Sequence, residues 1–344
     1  MRIGIDARAA SEVTGGRGRL VRELLRALAA RGEEHEYVLY ARTQWQQAPR
    51  DARFAWRLIQ ARAWHLEAAR AANRECDVFL STNSYLTPLL LRIPCVTLVY
   101  DLVAFSRAMQ PNRRSMVIER FLLGAAVRRS RVLLCISEAT RAELLERHPA
   151  ARAEVALLAS SLPRSSVRRD DGFVLAVGTL EPRKNLPRLV AAYASLPREL
   201  QERHRLSVVG ASGWQTGETL TALDSLGERC ERLGHVPDAE LARLYGNCAV
   251  FCYPSLGEGF GLPVLEAMAA GAAVVTSDCS SLPEVGGDAV RYVDPHHTTS
   301  IAAGLRELLE DPSARALLGE RVRVRAALFS WDEFAGRTLA ALAR

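Results

Sequence analysis

Short apolar runs of strand length alternate with helical patterns twice along this chain, and a polar stretch separates the two series. The first series has apolar runs at residues 3–5, 37–40, 78–80, 95–99 and 132–135, with helical patterns at 20–30, 64–73, 116–129 and 138–147. Residues 160–172, SSLPRSSVRRDDG, are polar with Pro and Gly, and read as a linker. The pattern restarts with runs at 173–177, 206–209, 249–253, 273–276 and 290–293, and helices at 186–195, 238–247, 263–270 and 301–310, with Asp238 as an N-cap. Such alternation argues for an α/β chain with parallel sheets. At 344 residues the chain has about twice the usual domain length. Two domains are therefore expected, residues 1–163 and 164–330, with ligands bound in a cleft at the carboxyl ends of their strands.

Composition narrows the function classes. No run of about 18 uncharged apolar residues exists to span a membrane. The opening MRIGIDARAA reads as a first strand rather than a signal peptide. The seven cysteines are scattered with no Cys-x-x-Cys pair, which fits reduced structural thiols and a cytoplasmic setting. Charge is uneven: residues 1–163 carry 25 Arg against 16 acidic residues, a net +9, and the rest of the chain is net −3. Arg107, Arg113, Arg114, Arg120, Arg128, Arg129 and Arg131 crowd one part of the first half. That cluster reads either as a solvated basic face or as a contact with anionic lipid or a phosphate-bearing substrate. Nucleic acid is disfavoured, since no aromatic-interleaved basic motif accompanies the charge. Only one of the 45 basic residues is a lysine, Lys184. A lone lysine among arginines marks a place that wants a compact point charge rather than a planar fork, or is chance.

The sharpest segment is SLGEGFGLPVLEA, residues 255–267. It follows a strand and opens a helix near Pro263, a favoured first-turn position. Its glycines let backbone approach a ligand, and the helix start is an anion site. Glu258 lies in the loop and Glu266 one turn into the helix. Together they suit a sugar joined to a nucleotide by a diphosphate: amides hold oxygens, and each carboxylate accepts hydroxyl hydrogens from hexose or ribose. The plainer alternative is a glycine turn followed by an acidic first helical turn.

VGTLEPRKN, residues 177–185, puts Arg183 and Lys184 near the carboxyl end of the first strand of the second half. A departing nucleoside diphosphate develops negative charge there and needs cations. TGGRGRL, residues 14–20, holds Gly16-Arg17-Gly18. About eight residues separate it from Asp6, so it is no dinucleotide fingerprint, and a flexible glycine loop facing the cleft is expected, with Gly16 at the ligand. VTLVYDL ends a strand in Tyr100-Asp101, a site position in which Tyr100 is a poor base, or a simple strand cap. The seven histidines show no metal-ligand spacing and no Asp-x-Asp pair occurs, so no metal is expected. Ser277, Ser280 and Ser281 lack an evident base for a hydrolase triad.

Together, the glycine loop, ISEATRAEL at 136–144, VGTLEPRKN, GHVPDAELARLY at 234–245, the Glu-x7-Glu of Glu258 and Glu266, and SSLPEVGGDA at 280–289 resemble the family-4 retaining glycosyltransferases of the GT-B fold, over the whole length. The resemblance implies two Rossmann-like domains with parallel sheets facing a central cleft. The acceptor would lie on the first, the sugar nucleotide on the second, and the helix of residues 331–344 would cross back to the first. It further implies Arg183 and Lys184 as a diphosphate clamp, and Glu258 as the contact to donor sugar hydroxyls. Gly259, Phe260, Gly261 and Leu262 would form a backbone cradle, Glu266 the ribose ligand, and the backbone near Val236 the base contact. Many members have His where Tyr100 stands. Tyr-Asp-Leu is similar to a subset that builds bacterial surface polysaccharides, including O-antigen mannosyltransferases, which implies a GDP-mannose-type donor and a glycan or lipid-linked acceptor. Glycosylation of a small natural product and non-catalytic sugar-nucleotide binding are the alternatives.

Overall fold

The computed structural model describes residues 1–13, 15–102, 105, 113–162 and 172–344, with residues 113–115 described by backbone alone. Thr14, Arg107, the side chains of Arg113 and Arg114, and most of the expected linker (163–171) lie outside the described residues. The chain divides into two compact units. One is Met1–Leu158 with Ser330–Arg344, the other Ala159–Phe329. The division thus falls after residue 158, not after 163.

The first unit carries β1 (Arg2–Asp6), β2 (Glu36–Ala41), β3 (Phe54–Leu58), β4 (Val78–Ser81), β5 (Cys95–Val99), β6 (Val132–Cys135) and β7 (Ala153–Val155). They form one parallel sheet in the order β3-β2-β1-β4-β5-β6-β7. Its helices are α1 (Arg8–Glu12), α2 (Gly16–Ala30), α3 (Trp64–Glu75), α4 (Thr87–Leu90), α5 (Arg113–Arg129) and α6 (Glu138–Arg147). The second unit carries β8 (Val174–Val177), β9 (Leu206–Val209), β10 (Cys230–Gly234), β11 (Val250–Tyr253), β12 (Ala273–Ser277) and β13 (Arg291–Val293), parallel in the order β10-β9-β8-β11-β12-β13. Its helices are α7 (Leu186–Ala194), α8 (Arg198–Arg203), α9 (Gly217–Asp224), α10 (Asp238–Asn247), α11 (Leu262–Ala270), α12 (Leu282–Gly286), α13 (Thr298–Glu310) and α14 (Pro312–Ala326). The last helix, α15 (Trp331–Ala343), packs in the first unit against α2, β4, β5 and β6.

Each sheet steps outward from its first strand on one side, then resumes on the other. The chain therefore leaves neighbouring strands in opposite directions between β1 and β4 and between β8 and β11, which opens a crevice at their carboxyl ends. Central strands such as VFCY and AVVTS are buried throughout, as a parallel sheet covered on both faces demands. In α13, Ile301, Leu305 and Leu308 recur at i, i+4 and i+7. This stripe packs with Leu189 and Tyr193 of α7 in the core of the second unit. Asp311 accepts from the backbone of Ser313 and Ala314, both at 2.9 Å, and so ends α13 and starts α14 with Pro312 in its first turn.

Three strands escape the sequence pattern: β3, β7 and β10. All three are sheet edges, half-exposed, and lack the fully apolar run of a central strand. Two local readings need correction. Pro237 occupies the N-cap of α10, and Asp238 is a first-turn acid favoured by the helix dipole. Gly16 and Gly18 belong to the first turn of α2, not to a flexible loop. A Cβ on Gly18 would stand 1.8 Å from the Val13 carbonyl oxygen, so that glycine is there to seat the helix against the chain before it. Arg22 adds hydrogen bonds to the carbonyls of Ala10 at 3.1 Å and Val13 at 3.0 Å.

Candidate functional site

In the second unit, both strands that flank the crevice deliver charged side chains. After β8 the chain makes a single 3-10 turn, Pro182–Lys184, and Asn185 takes a left-handed conformation (φ 60°) before α7 begins. After β11 it enters the loop carrying Ser255, Gly257 and Glu258, then turns at Gly261 (φ 102°) into α11. A Cβ on Gly261 would lie 2.7 Å from Leu282 Cδ2, so this sharp entry admits only glycine without displacement. Buried Asn185 ties the two segments. Its Nδ2 donates to the carbonyls of Pro254 at 2.9 Å and Pro295 at 2.7 Å. The Leu256 amide and the Ser255 hydroxyl both donate to the Arg183 carbonyl, at 2.9 and 3.0 Å.

Arg183, Lys184 and Glu258 come together there. Arg183 forms ion pairs with Glu181 at 2.6 Å and with Glu258, and donates to the Gly257 carbonyl at 2.8 Å. Lys184 Nζ donates to Glu258 Oε1 at 2.8 Å and to Tyr253 Oη at 2.5 Å, and lies 4.9 Å from the Tyr253 ring centroid. Tyr253 Oη and Ser255 Oγ donate to the same Glu258 oxygen, at 2.8 and 2.6 Å. Burial alone would push the Glu258 carboxyl up, but Lys184 and Arg183 outweigh it and hold its pKa down at about 2. Burial pushes the Lys184 amine down, and Arg183 adds to this, against the pull of Glu258. One carboxylate shared by two cations gains from both, whereas each cation gets part of it and repels the other. Arg183 stays above its ordinary value, because Glu258 and Glu181 overcome its burial.

The other residues expected in this unit stand apart. Glu266 is only 3% exposed on α11, accepts from Tyr245 Oη at 3.3 Å, and borders a small void beside Ser160 and Leu162. The Phe260 side chain is buried against Phe329, edge to face at 6.0 Å, which leaves its backbone for any ligand. Gly259 precedes it in the loop, and Leu262 is the first residue of α11; next to it Pro263 has no N–H, and the Val264 and Leu265 amides donate to the Gly261 carbonyl at 2.9 and 3.1 Å. Val236 is half-buried in the loop from β10 to α10.

In the first unit, Tyr100 follows β5 and donates from Oη to the Thr82 carbonyl at 2.6 Å. Burial pushes its phenol well above the ordinary range, so it is no base. The Arg17 guanidinium lies 5.1 Å from its ring centroid. Asp101 is half-buried beside it, and Gly16 opens α2 one residue before Arg17.

Residues 161–325 match the family described as glycosyl transferases group 1, and residues 14–158 match glycosyltransferase family 4. The chain is 34% identical over 306 residues to the O-antigen chain mannosyltransferase B of Escherichia coli, covering 83% of this chain and 78% of that one. The chain is a family-4 glycosyltransferase. Solved structures with the fold of this glycosyltransferase include sucrose-phosphate synthase from Thermosynechococcus elongatus, at 21% identity and TM-score 0.76 over 99% of this chain and 98% of that one. Another is Anabaena Alr3699/HepE in complex with UDP and glucose, at 16% identity and TM-score 0.78 over 100% and 99%. The GT-B class read from the motifs therefore stands.

Sequence reasoning missed several groups that shape the glycosyltransferase's charged cluster. Tyr253 ends an apolar strand and looks like core, yet its hydroxyl bridges Lys184 and Glu258. The serines set aside for want of a base are scaffolding. Ser281 Oγ donates to the Glu258 carbonyl at 3.0 Å, the Glu258 amide donates to Ser280 Oγ at 3.1 Å, and Ser277 Oγ donates to the Ser255 carbonyl at 2.7 Å. A serine-rich segment opposite a glycine loop was the only available signal.

Proposed function

We propose that this glycosyltransferase moves a mannosyl residue, with retention, from a guanosine diphosphate sugar to a glycan or lipid-linked acceptor of bacterial surface polysaccharide. The observation that carries the reading is the Arg183–Lys184–Glu258 cluster beside the start of α11 at the crevice of the second sheet. Cations and the positive end of a helix suit a diphosphate, and a carboxylate suits sugar hydroxyls. The mannosyl choice is supported by the E. coli relative's name. Within this reading Glu266 holds the ribose and the backbone near Val236 the base.

In the proposed course the bond from sugar C1 to the diphosphate oxygen breaks, and the acceptor oxygen bonds to C1 on the same face. The leaving phosphate oxygen takes the acceptor's proton. Arg183 and Lys184 stabilise the charge that develops on the diphosphate, so the protein contributes position and electrostatics. A panel of nucleotide sugars tests this by thermal shift and by slow donor hydrolysis. GDP-mannose at 100 times its dissociation constant should stabilise the chain by about 2.7 kcal/mol. Preference for a UDP- or dTDP-sugar would overturn the donor, and binding without hydrolysis or transfer would favour a sugar-nucleotide binder.

Transfer should need no metal. Among the described residues, no group of three or more His, Cys, Asp or Glu could hold one. Activity is expected to persist in excess EDTA, and loss restored by manganese or magnesium would refute it.

The protein acts at the cytoplasmic membrane face in this reading. Among the described residues no helix is long and apolar enough to cross a membrane. On α5, however, Val117, Ile118 and Phe121 are 61%, 58% and 71% exposed, and Arg128, about two helical turns beyond Phe121, is exposed as well. Arg120 and Arg129 are less available, since they donate to the carbonyls of Phe105, at 3.0 Å, and of Leu91. Apolar residues beside cations suit an anionic lipid surface, each arginine contributing about 1 kcal/mol. Sedimentation with anionic vesicles should fall with rising salt and drop tenfold or more in Phe121→Ser. Absent or salt-insensitive binding would remove the membrane from the picture.

A further inference from the structure

Six side chains build the charged cluster of the second unit: Glu181, Arg183, Lys184, Tyr253, Ser255 and Glu258. Five of them belong to the 3-10 turn, its first flanking residue or the glycine loop. Only Tyr253 lies in a strand, as the last residue of β11. That strand is held between β8 and β12 in the middle of the sheet. The Tyr253 ring is buried and stacks on Phe251, with centroids 5.8 Å apart and planes at 22°. The Tyr253 carbonyl accepts from Thr276 Oγ1 at 3.0 Å. A group carried by a packed strand is placed more precisely than one carried by a loop.

The phenol joins two of the other five. Its single hydrogen goes to Glu258 Oε1 at 2.8 Å, and its oxygen accepts from Lys184 Nζ at 2.5 Å. The charges facing that ammonium are Glu258, Arg183 and Glu181. Glu258 is shared with Arg183, and Arg183 repels the ammonium, so the carboxylate alone is a divided partner. The phenol supplies a second, neutral oxygen fixed to the sheet. Burial, then the charge of Glu258, push its pKa far above the ordinary range, so it keeps its hydrogen and stays neutral. The Lys184 stem is confined as well: a Cβ on Gly178 would lie 3.2 Å from its Cε.

We propose that Tyr253 is a positioning residue of this glycosyltransferase, whose hydroxyl moors the Lys184 ammonium to the central sheet where the diphosphate leaves. A buried ammonium deprived of one oxygen is left with an N–H facing carbon and is harder to keep charged. Its head is also less well placed. Both effects weaken the hold on a charge that grows in the transition state more than they weaken donor binding. That Lys184 faces a diphosphate rests on the proposed function; the mooring itself does not. Ser255 acts on the carboxylate instead, donating to the same Glu258 oxygen at 2.6 Å and to the Arg183 carbonyl at 3.0 Å. It therefore serves as the contrast.

The single lysine makes the test direct. Lysine carrying carbon-13 at Cε gives one side-chain NMR signal in the full chain, and its shift follows the charge of Nζ. Tyr253→Phe keeps the ring and should lower the titration midpoint of that signal by about one pH unit. Tyr253→Met removes the hydroxyl by a second route and should give the same result should the Phe variant misfold. Ser255→Ala should leave the midpoint unmoved or raise it. With GDP-mannose, Tyr253→Phe should lower kcat about tenfold and change KM less. Placed on Lys184→Gln, the same change should cost less than about threefold, because it acts through the ammonium. A midpoint that does not fall, an equal fall in Ser255→Ala, an unchanged kcat in Tyr253→Phe, or a tenfold loss that persists without the ammonium would overturn the proposal. Near-normal kcat in Lys184→Gln, with the midpoint lowered in Tyr253→Phe, would instead overturn the donor-site reading and leave the mooring standing.

Discussion

Lys184→Gln should lower kcat by about 100- to 1000-fold, roughly 2.7–4 kcal/mol in the barrier. The ammonium sits at the carboxyl end of the strand where the diphosphate is proposed to leave, and its attraction grows as the glycosidic bond breaks and the phosphate gains charge. KM for the donor should change less than kcat. Lys184→Arg keeps the charge but replaces a compact head, wedged between Tyr253 and Glu258, with a planar fork, so partial activity is expected. Arg198→Gln is the control, because that side chain is exposed and its ion pair is with its helical neighbour Glu202 at 2.7 Å, on the surface. Near-normal kcat in folded Lys184→Gln would show that the phosphate clamp is elsewhere.

Glu258→Gln should damage the fold as well as the chemistry. Its carboxylate compensates two largely buried cations, and breaking a fully buried pair from one side costs about 3–5 kcal/mol, the upper bound here. Glu181 remains for Arg183, whereas Lys184 loses its carboxylate and its amine is pushed further down. The pH dependence follows from the depressed Glu258 value of about 2, against an ordinary value of 4.5. A group whose folded pKa is depressed binds fewer protons in the folded state. Its stabilisation is full above about pH 5 and fades as pH falls from there toward 2. Urea unfolding of the wild type and Glu258→Gln should therefore differ most near neutrality and converge in acid. A gap that is absent at pH 7, or that widens as pH falls, would contradict the geometry.

Much of the fold is legible because parallel central strands are apolar on both faces. The runs at 95–99 and 132–135 coincide with β5 and β6. Edge strands carry no such signature. In β10, CERLG alternates poorly, and only its pairing to β9 makes it a strand. At the site, Arg183, Lys184 and Glu258 were readable because a glycine loop and a basic turn each follow a strand. Tyr253, Asn185 and Ser281 were not, since their roles depend on partners 5, 69 and 23 residues away in sequence. Gly16 reads as loop in sequence because glycine signals freedom, while the space that Gly18 needs is set by Val13 and Ala9 in three dimensions.

The sole lysine has a practical corollary. Amine-selective acylation can modify only one side chain in this protein, and it is Lys184. Such reagents attack the neutral amine, and burial shifts that amine toward its neutral form at milder pH than an ordinary lysine. The extent of acylation against pH therefore titrates one identified group without mutagenesis, isotopes or crystals. Peptide mass at Lys184, read apart from the α-amine that such reagents also acylate, then becomes an occupancy gauge: a nucleoside diphosphate seated on the ammonium would keep it protonated and unlabelled, and an empty site would gain an acyl group.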